Sequence, residues 1–292
     1  MAARLCDEVR ASCAQIAATA RWVRIDLDAL DEVQPAPPPA PDPVRHYLEG
    51  SPAEVAMYFL TLDSVNFGSG WFPTLRKRAR SSGYFTVAWA IADRFREHGP
   101  WTPAQLRAIS TEEIAEALGQ ARDHELMALY AQALRALGAF LGDRDALALA
   151  REARGSAEAL ATLLARGMAL FADRGFYKRA QIVPANLELA RVAEFHDLHR
   201  LTIFADNLVP HVLRCHGVLR YDPALAAHID AGLLLPAGRE EREIRACAVR
   251  ACELIARRVG ATEHELDNWL WSRGQAPGYK AVERHRTRTV YY

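Results

Sequence analysis

Asp206 lies between Thr202-Ile203-Phe204-Ala205 and Leu208-Val209-Pro210, a carboxylate set in an otherwise apolar stretch. Such a group must be paired or put to use, because desolvated charge is costly when left uncompensated. Two uses stay open and are compatible: an N-cap for a helix running towards Cys215, or an acid at a pocket that activates water or steadies a developing cation. Lys178-Arg179 follows Phe176-Tyr177 and precedes Ala180-Gln181-Ile182-Val183-Pro184. Its plain reading is a pair of cations snorkelling from a packed aromatic; its functional reading is an anion site, with lysine as a point charge for a phosphate. Asp63-Ser64-Val65-Asn66-Phe67-Gly68-Ser69-Gly70-Trp71 gathers a carboxylate, an amide and aromatics among glycines that permit close backbone approach. A planar heterocycle needs that chemistry, a face to stack on and fixed polar groups at its edge. A turn with a packed tryptophan is the plainer alternative.

Other clusters point to less. His196 and His199, beside Asp197, and His211 with His216 lack the third ligand a catalytic zinc requires, so no metal site is read here. Arg76-Lys77-Arg78-Ala79-Arg80 reads as a solvated edge, and Glu243 with Arg245 as a structural ion-pair network. No Walker loop, G-x-G-x-x-G or G-x-S-x-G occurs, which removes support for nucleotide-driven phosphoryl transfer, dinucleotide redox chemistry and the common serine hydrolase fold.

The elements that must position these residues are mostly helical. Leu126, Tyr130, Ala133, Leu137 and Phe140 make one apolar stripe, and Ile244, Ala248, Ala251, Ile255 and Val259 make another in a helix beginning near Arg239. Asp143 is expected to cap the alanine-rich run after it, Thr262 with Glu265 fits a capping box, and Asp222-Pro223 marks a helix start. β signals are thin: a hairpin over Thr74 to Phe85 around Ser81-Ser82-Gly83, and β-formers from Thr287 to Tyr292. Pro35 to Pro43 reads as a stiff polyproline connector. The expected organisation is an N-terminal helical segment over 1–34, the connector over 35–43 and a body over 44–292, mainly α with minor β.

With 36 basic and 36 acidic residues the formal net charge is zero and the pI is about 7.2. A basic excess would accompany a long nucleic-acid footprint, so a polynucleotide substrate is disfavoured. No secretory signal or membrane span is read, and the five cysteines form no C-x-x-C pair, which leads to the expectation of a cytoplasmic protein with reduced, buried thiols.

Taken in order, Asp63-Ser64-Val65-Asn66-Phe67, Ser82-Gly83-Tyr84, Phe176-Tyr177-Lys178-Arg179-Ala180-Gln181-Ile182, Phe204-Ala205-Asp206 with Pro210, Gly217-Val218-Leu219-Arg220-Tyr221, Glu243-Ile244-Arg245-Ala246-Cys247, Leu270-Trp271 and the closing His285-Arg286-x-Arg288-x-x-Tyr291-Tyr292 resemble the queuosine salvage family. The resemblance runs from about Ala53 to Tyr292; the proline run and the stretch between Trp271 and His285 depart from it. It implies a helical fold similar to helix-hairpin-helix DNA glycosylases, with Gly217 in the turn, and hydrolysis of queuosine 5′-phosphate to queuine and a sugar phosphate. The bond cleaved is C1′–N, through an oxocarbenium-like cation. A 7-deazaguanine has no N7 to protonate, so cation stabilisation and water activation must carry more of the rate. By the resemblance Asp206 takes that role, Lys178 holds the 5′-phosphate with His211 and Tyr292 as further candidates, Phe67 and Trp71 stack on the base, and Asp63, Asn66 and Asp267 read its edge. Water is the second substrate, so no cofactor is implied, and the partner is a small nucleotide. A polynucleotide glycosylase or nucleic-acid-binding helical module is the alternative, and a non-catalytic helical interaction domain a third; convergence of Lys178, Asp206 and Tyr292 on one pocket discriminates among them.

Overall fold

A computed structural model describes residues 4–37, 40–78 and 81–292. Pro38 and Pro39 of the expected connector, and Ala79 and Arg80 of the expected hairpin and basic cluster, lie outside the described residues.

One helix, Pro52–Ser64, forms the centre of the first half. It is apolar all round, with every residue from Val55 to Ser64 buried, which is the pattern of a helix surrounded on all sides. Ser51 accepts from Glu54 N while Glu54 reaches back to Ser51 N, fixing its start. Gly83–His98, Glu125–Leu141, Ala146–Glu152 and Lys178–Leu189 pack around it. In the second half Leu5–Ala18 lies along Arg239–Val259, burying Leu5, Cys6, Val9 and Cys13. Leu208–Cys215 is wedged between Arg239–Val259 and Glu263–Arg273. The single sheet found among the described residues pairs Val23–Ile25 antiparallel with Leu219–Tyr221, Val23 opposite Tyr221.

The mainly helical architecture agrees with the periodicity, as do the Thr262–Glu265 capping box and Pro223 at a helix start. Several details differ. Thr74 to Phe85 holds no hairpin among its described residues: a short 3-10 turn ends at Thr74, and Ser82 Oγ accepts from Phe85 N at 3.2 Å to open a helix whose stripe is Val87, Ile91 and Phe95. Thr287 to Tyr292 is not a strand, because its carbonyls go to side chains and loops rather than to a neighbouring strand. Val290 O accepts from Arg179 at 2.6 Å, and Tyr292 O from Gly68 N at 2.9 Å. The alanine-rich helix begins later than expected, with Asp145 rather than Asp143 accepting from Ala148 N at 2.7 Å. Gly217, at φ +75°, turns the chain out of a helix and into a strand. Cys215 is exposed, whereas the other four cysteines are buried and free.

Charge is buried at the junction of the two halves. Arg245, 2% exposed, pairs with Asp173 and with Glu241 at 3.3 Å, donates to Ala205 O at 2.9 Å, and lies against the rings of Phe176 and Tyr292. Arg245 thus sits in the expected structural ion-pair network, whereas Glu243 forms no ion pair among the described residues and instead accepts from Arg21 N and Trp22 N at 2.9 and 2.8 Å, because the backbone of that loop occupies its carboxylate. Arg245→Met would strand two carboxylates and a carbonyl, a loss on the order of 3–5 kcal/mol. Urea denaturation should show it as a lowered midpoint; a midpoint equal to the parent's would refute the account.

Candidate active site

The sequence Phe176 to Gln181 sets unlike side chains in six successive positions, and the structure sends them to different places. Tyr177 sits in the left-handed region, φ 50°, a strained setting for a residue with a Cβ, and the helix Lys178–Leu189 starts immediately after it. Arg179 is directed to Ser64 O at 2.6 Å and to Val290 O, tying the helix Pro52–Ser64 to the last residues of the chain. Gln181, fully buried, accepts from Thr202 N at 2.9 Å and so fixes the extended segment that ends in Asp206. Lys178 points to a cavity of about 330 Å³ enclosed by the two halves.

Phe59, Tyr84, Phe85, Phe204 and Trp271 give this cavity aromatic walls. Trp271 meets Tyr84 edge-on at 5.1 Å and Phe85 at 5.6 Å, so the rings brace one another. Asn66, Lys178, Asn186, Asp206 and Asp267 supply polar groups, while Asp42 and Arg45 also line it. An aromatic-walled cavity with a few polar groups suits a planar, hydrogen-bonding ligand.

The electrostatics centre on Lys178, 4% exposed, whose Nζ donates to Asn66 O at 2.9 Å and Asn66 Oδ1 at 3.0 Å. Burial pulls its ammonium down to about 8, against the support of Asp206, Asp63 and Asp267. Asp63, fully buried, accepts from Asn186 Nδ2 on both oxygens at 2.9 and 3.0 Å; burial pushes its carboxyl up to about 7. Asp267 accepts from Phe204 N at 2.8 Å, and burial followed by the Asp206 charge pushes it up to about 8. Asp206 is held differently. Its Oδ1 accepts from Leu208 N at 2.7 Å and Val209 N at 3.1 Å at the start of the helix Leu208–Cys215. Its Oδ2 has no hydrogen-bond partner among the described residues and is left for the cavity. The cap and the pocket carboxylate are therefore the same group.

Of the residues singled out from sequence, Asn66, Lys178, Asp206 and Asp267 line the cavity, and Asp63 stands one hydrogen bond behind it through Asn186. The others lie elsewhere. Phe67 is buried edge-on to Tyr130 at 5.1 Å, with the Arg179 guanidinium over its face. Trp71 donates Nε1 to Glu125 at 2.7 Å, and His211 is buried against Tyr279 O at 2.8 Å. Tyr292 packs between Arg245 and His285. Tyr84 and Trp271 line the cavity in their place; the sequence marks them only through the strings Ser82-Gly83-Tyr84 and Leu270-Trp271, not through any periodicity.

Comparison with known proteins follows this geometry. The family described as queuosine salvage protein matches residues 46–292. A protein of Sphaerobacter thermophilus named queuosine 5′-phosphate N-glycosylase/hydrolase is 34% identical over 307 aligned residues, covering 94% of this chain and 94% of that protein. Proteins of the same name from Nematostella vectensis and Dictyostelium discoideum are 28% identical over 85% of this chain and 37% identical over 40% of it.

Proposed function

The chain belongs to the queuosine salvage protein family, and from that premise we propose how its cavity performs the family's reaction. The protein is an N-glycosylase that hydrolyses queuosine 5′-phosphate, releasing queuine for salvage. The observation that carries the site assignment is the pairing, in one aromatic-walled cavity, of a helix-capped Asp206 with a buried Asp267 pushed towards its protonated form. A carboxyl that keeps its proton beside a second carboxyl in different surroundings lets the two divide acid and base work.

Asp206 faces C1′ and either steadies the oxocarbenium-like cation or takes the proton of the attacking water. Asp267, protonated, offers a proton or a hydrogen bond to the departing base, which lacks N7 for the purpose. Lys178 fixes Asn66, whose amide reads the guanine-like edge together with Asn186, which Asp63 orients from behind; Tyr84 and Trp271 flank the ring. The cavity's size favours a free nucleotide over a polynucleotide. The body from residue 44, together with Ala40 to Asp42 at the cavity, is the catalytic unit in this reading. The likeness to helix-hairpin-helix glycosylases draws support from the helical body alone, because Gly217 leads from the Asp206 helix into the strand Leu219–Tyr221 rather than directly into a second helix. No helix among the described residues is long and apolar enough to cross a membrane, and a cytoplasmic site of action fits the free thiols.

Product analysis by liquid chromatography after incubation with queuosine 5′-phosphate tests the reaction. Queuine should accumulate with sugar phosphate in equal amount, at a rate insensitive to salt. No release by the folded protein, together with steeply salt-dependent binding of an oligonucleotide, would put the polynucleotide reading in its place.

A further inference from the structure

Asp206 and Lys178 come from separate stretches of chain, and no ion pair joins them among the described residues; Lys178 Nζ is taken up by Asn66. Their spacing across the cavity is therefore set by whatever holds their backbones. Arg245, already met in a buried ion-pair network, reaches both. We propose that Arg245 is a positioning residue of the reaction: it fixes Asp206 against the turn that launches Lys178, and so sets where the carboxylate stands at C1′. The proposal rests on the role given above to Asp206.

Three observations carry it. First, Arg245 Nε donates to Ala205 O at 2.9 Å, the carbonyl of the peptide bond that leads into Asp206. Ala205 O and Asp206 N belong to one planar unit, so holding the oxygen restrains the Cα of Asp206 as well. Second, the other end of the guanidinium grips both oxygens of Asp173, with Nη1 at 3.3 Å from Oδ1 and Nη2 on Oδ2. The Asp173 carbonyl accepts from Phe176 N at 3.0 Å and Tyr177 N at 2.7 Å, closing the turn in which Tyr177 keeps its φ of 50°. A left-handed residue with a Cβ persists only where its surroundings hold it, and Lys178 is the next residue. Third, the guanidinium has little room to shift. It is buried, rests on the Phe176 ring at 3.9 Å and the Tyr292 ring at 4.5 Å, and meets Glu241 at 3.3 Å.

Charge balance alone does not call for this arrangement. A lysine would answer Asp173 and Glu241 with a positive charge, but its donors radiate from one nitrogen. Here Ala205 O and the two carboxylates are met from three different nitrogens of a planar fork. That fork makes one side chain a spacer of fixed dimensions between two backbone segments. Gln181 supplies a second, neutral tie between the same segments, Nε2 donating to Phe176 O at 2.9 Å and Oε1 accepting from Thr202 N at 2.9 Å. It meets the second segment upstream, at Thr202, so it keeps the segments together without fixing Asp206 itself.

The test is a double-mutant cycle of Arg245→Lys with Asp206→Asn, read as kcat for queuine release from queuosine 5′-phosphate. Circular dichroism and thermal unfolding establish that each protein is folded at the assay temperature. Arg245→Lys alone should lower kcat roughly 10- to 100-fold, the scale of misplacing a reacting group by about 1 Å, and change KM less than about threefold. In the Asp206→Asn background the same substitution should cost less than about twofold, because the group it positions is already gone. A residue that only supports the fold lowers both backgrounds by the same factor; that result, or an unchanged kcat, overturns the proposal. If Arg245→Lys does not fold, Asp173→Asn takes its place in the cycle with the same expectations, since it keeps the size and one acceptor while loosening the grip on the fork. Crystal structures of the parent and the folded variant read the spacing without turnover. Superposed on the helix Lys178–Leu189, the Asp206 carboxylate should move by about 1 Å or more; an unmoved carboxylate overturns the proposal. If Asp206→Asn keeps the parental kcat, the role given to Asp206 falls instead, and the crystal structures still decide what Arg245 positions.

Discussion

Replacing Asp206 by asparagine should lower queuine release by about 10³-fold, the scale of losing a general base or a positioned charge at a developing cation. Asparagine keeps the shape and an oxygen able to accept from Leu208 N and Val209 N, so the helix start survives while the charge does not. Thermal unfolding should therefore change little, within the ~1 kcal/mol usual for altered caps. Asp206→Ala should add the loss of the cap to the loss of turnover. If the asparagine variant kept a tenth or more of the parent's kcat at each pH tested, Asp206 would be a capping residue alone and another group would have to face C1′.

The second large effect is on the alkaline side of the pH profile. Asp267 holds its proton up to about 8 because it is buried and faces the Asp206 charge, and the neighbouring Lys178 gives up its proton in the same range. Turnover that needs Asp267 protonated and Lys178 charged should fall as pH rises through 8, with apparent constants belonging to the cluster rather than to either group. Asp267→Asn mimics the protonated acid in shape but cannot pass on a proton. At neutral pH it should lose about 10²-fold in kcat if the proton is transferred, and the remaining alkaline limb should reflect Lys178 alone. A variant with parental kcat and an unchanged limb would remove Asp267 from the chemistry. Stability moves with the same groups. The unfolded chain sheds these carboxyl protons near pH ~4, while the fold keeps those of Asp63 and Asp267 to about 7 and 8. The fold binds more protons in between, so their contribution to stability drains away as pH rises across that window. Lys178 acts in the opposite sense, its fold-imposed penalty fading as pH rises above 8. Denaturation midpoints of parent and Asp267→Asn measured from pH 5 to 9 should converge at the acid end and separate in the variant's favour at the alkaline end.

Much of this was legible because helices announce themselves. The stripe from Leu126 to Leu137, the capping box at Thr262 and the proline at Pro223 each name a helix through local chemistry. The strands Val23–Ile25 and Leu219–Tyr221 were not, since three residues are too few to show alternation and their pairing is set by distant chain. In the site, Lys178 and Asp206 could be picked out because burial of charge needs a reason, Asn66 through its polar and aromatic string, and Asp267 only through the family resemblance; all four lie at one cavity. Aromatic residues carry no such mark. Phe67 and Trp71 sit in the more suggestive string yet pack on Tyr130 and Glu125, whereas Tyr84 and Trp271 face the cavity from ordinary helical positions. Which ring meets solvent and which meets core depends on tertiary packing that no local pattern encodes.

The clasp formed by the closing residues has a kinetic corollary. Arg179 reaches Val290 across 111 positions, Gly68 holds Tyr292, and Arg10 meets Glu263 across 253 positions. Contacts so remote in sequence form only after long loops have closed, a slow step beside the local winding of helices. During refolding, helix content should therefore return well before the cavity can hold a ligand. Throughout that interval the aromatic walls of the unfinished cavity lie open to other chains, so the interval in which the protein is not yet an enzyme is also the one in which it is most prone to aggregate.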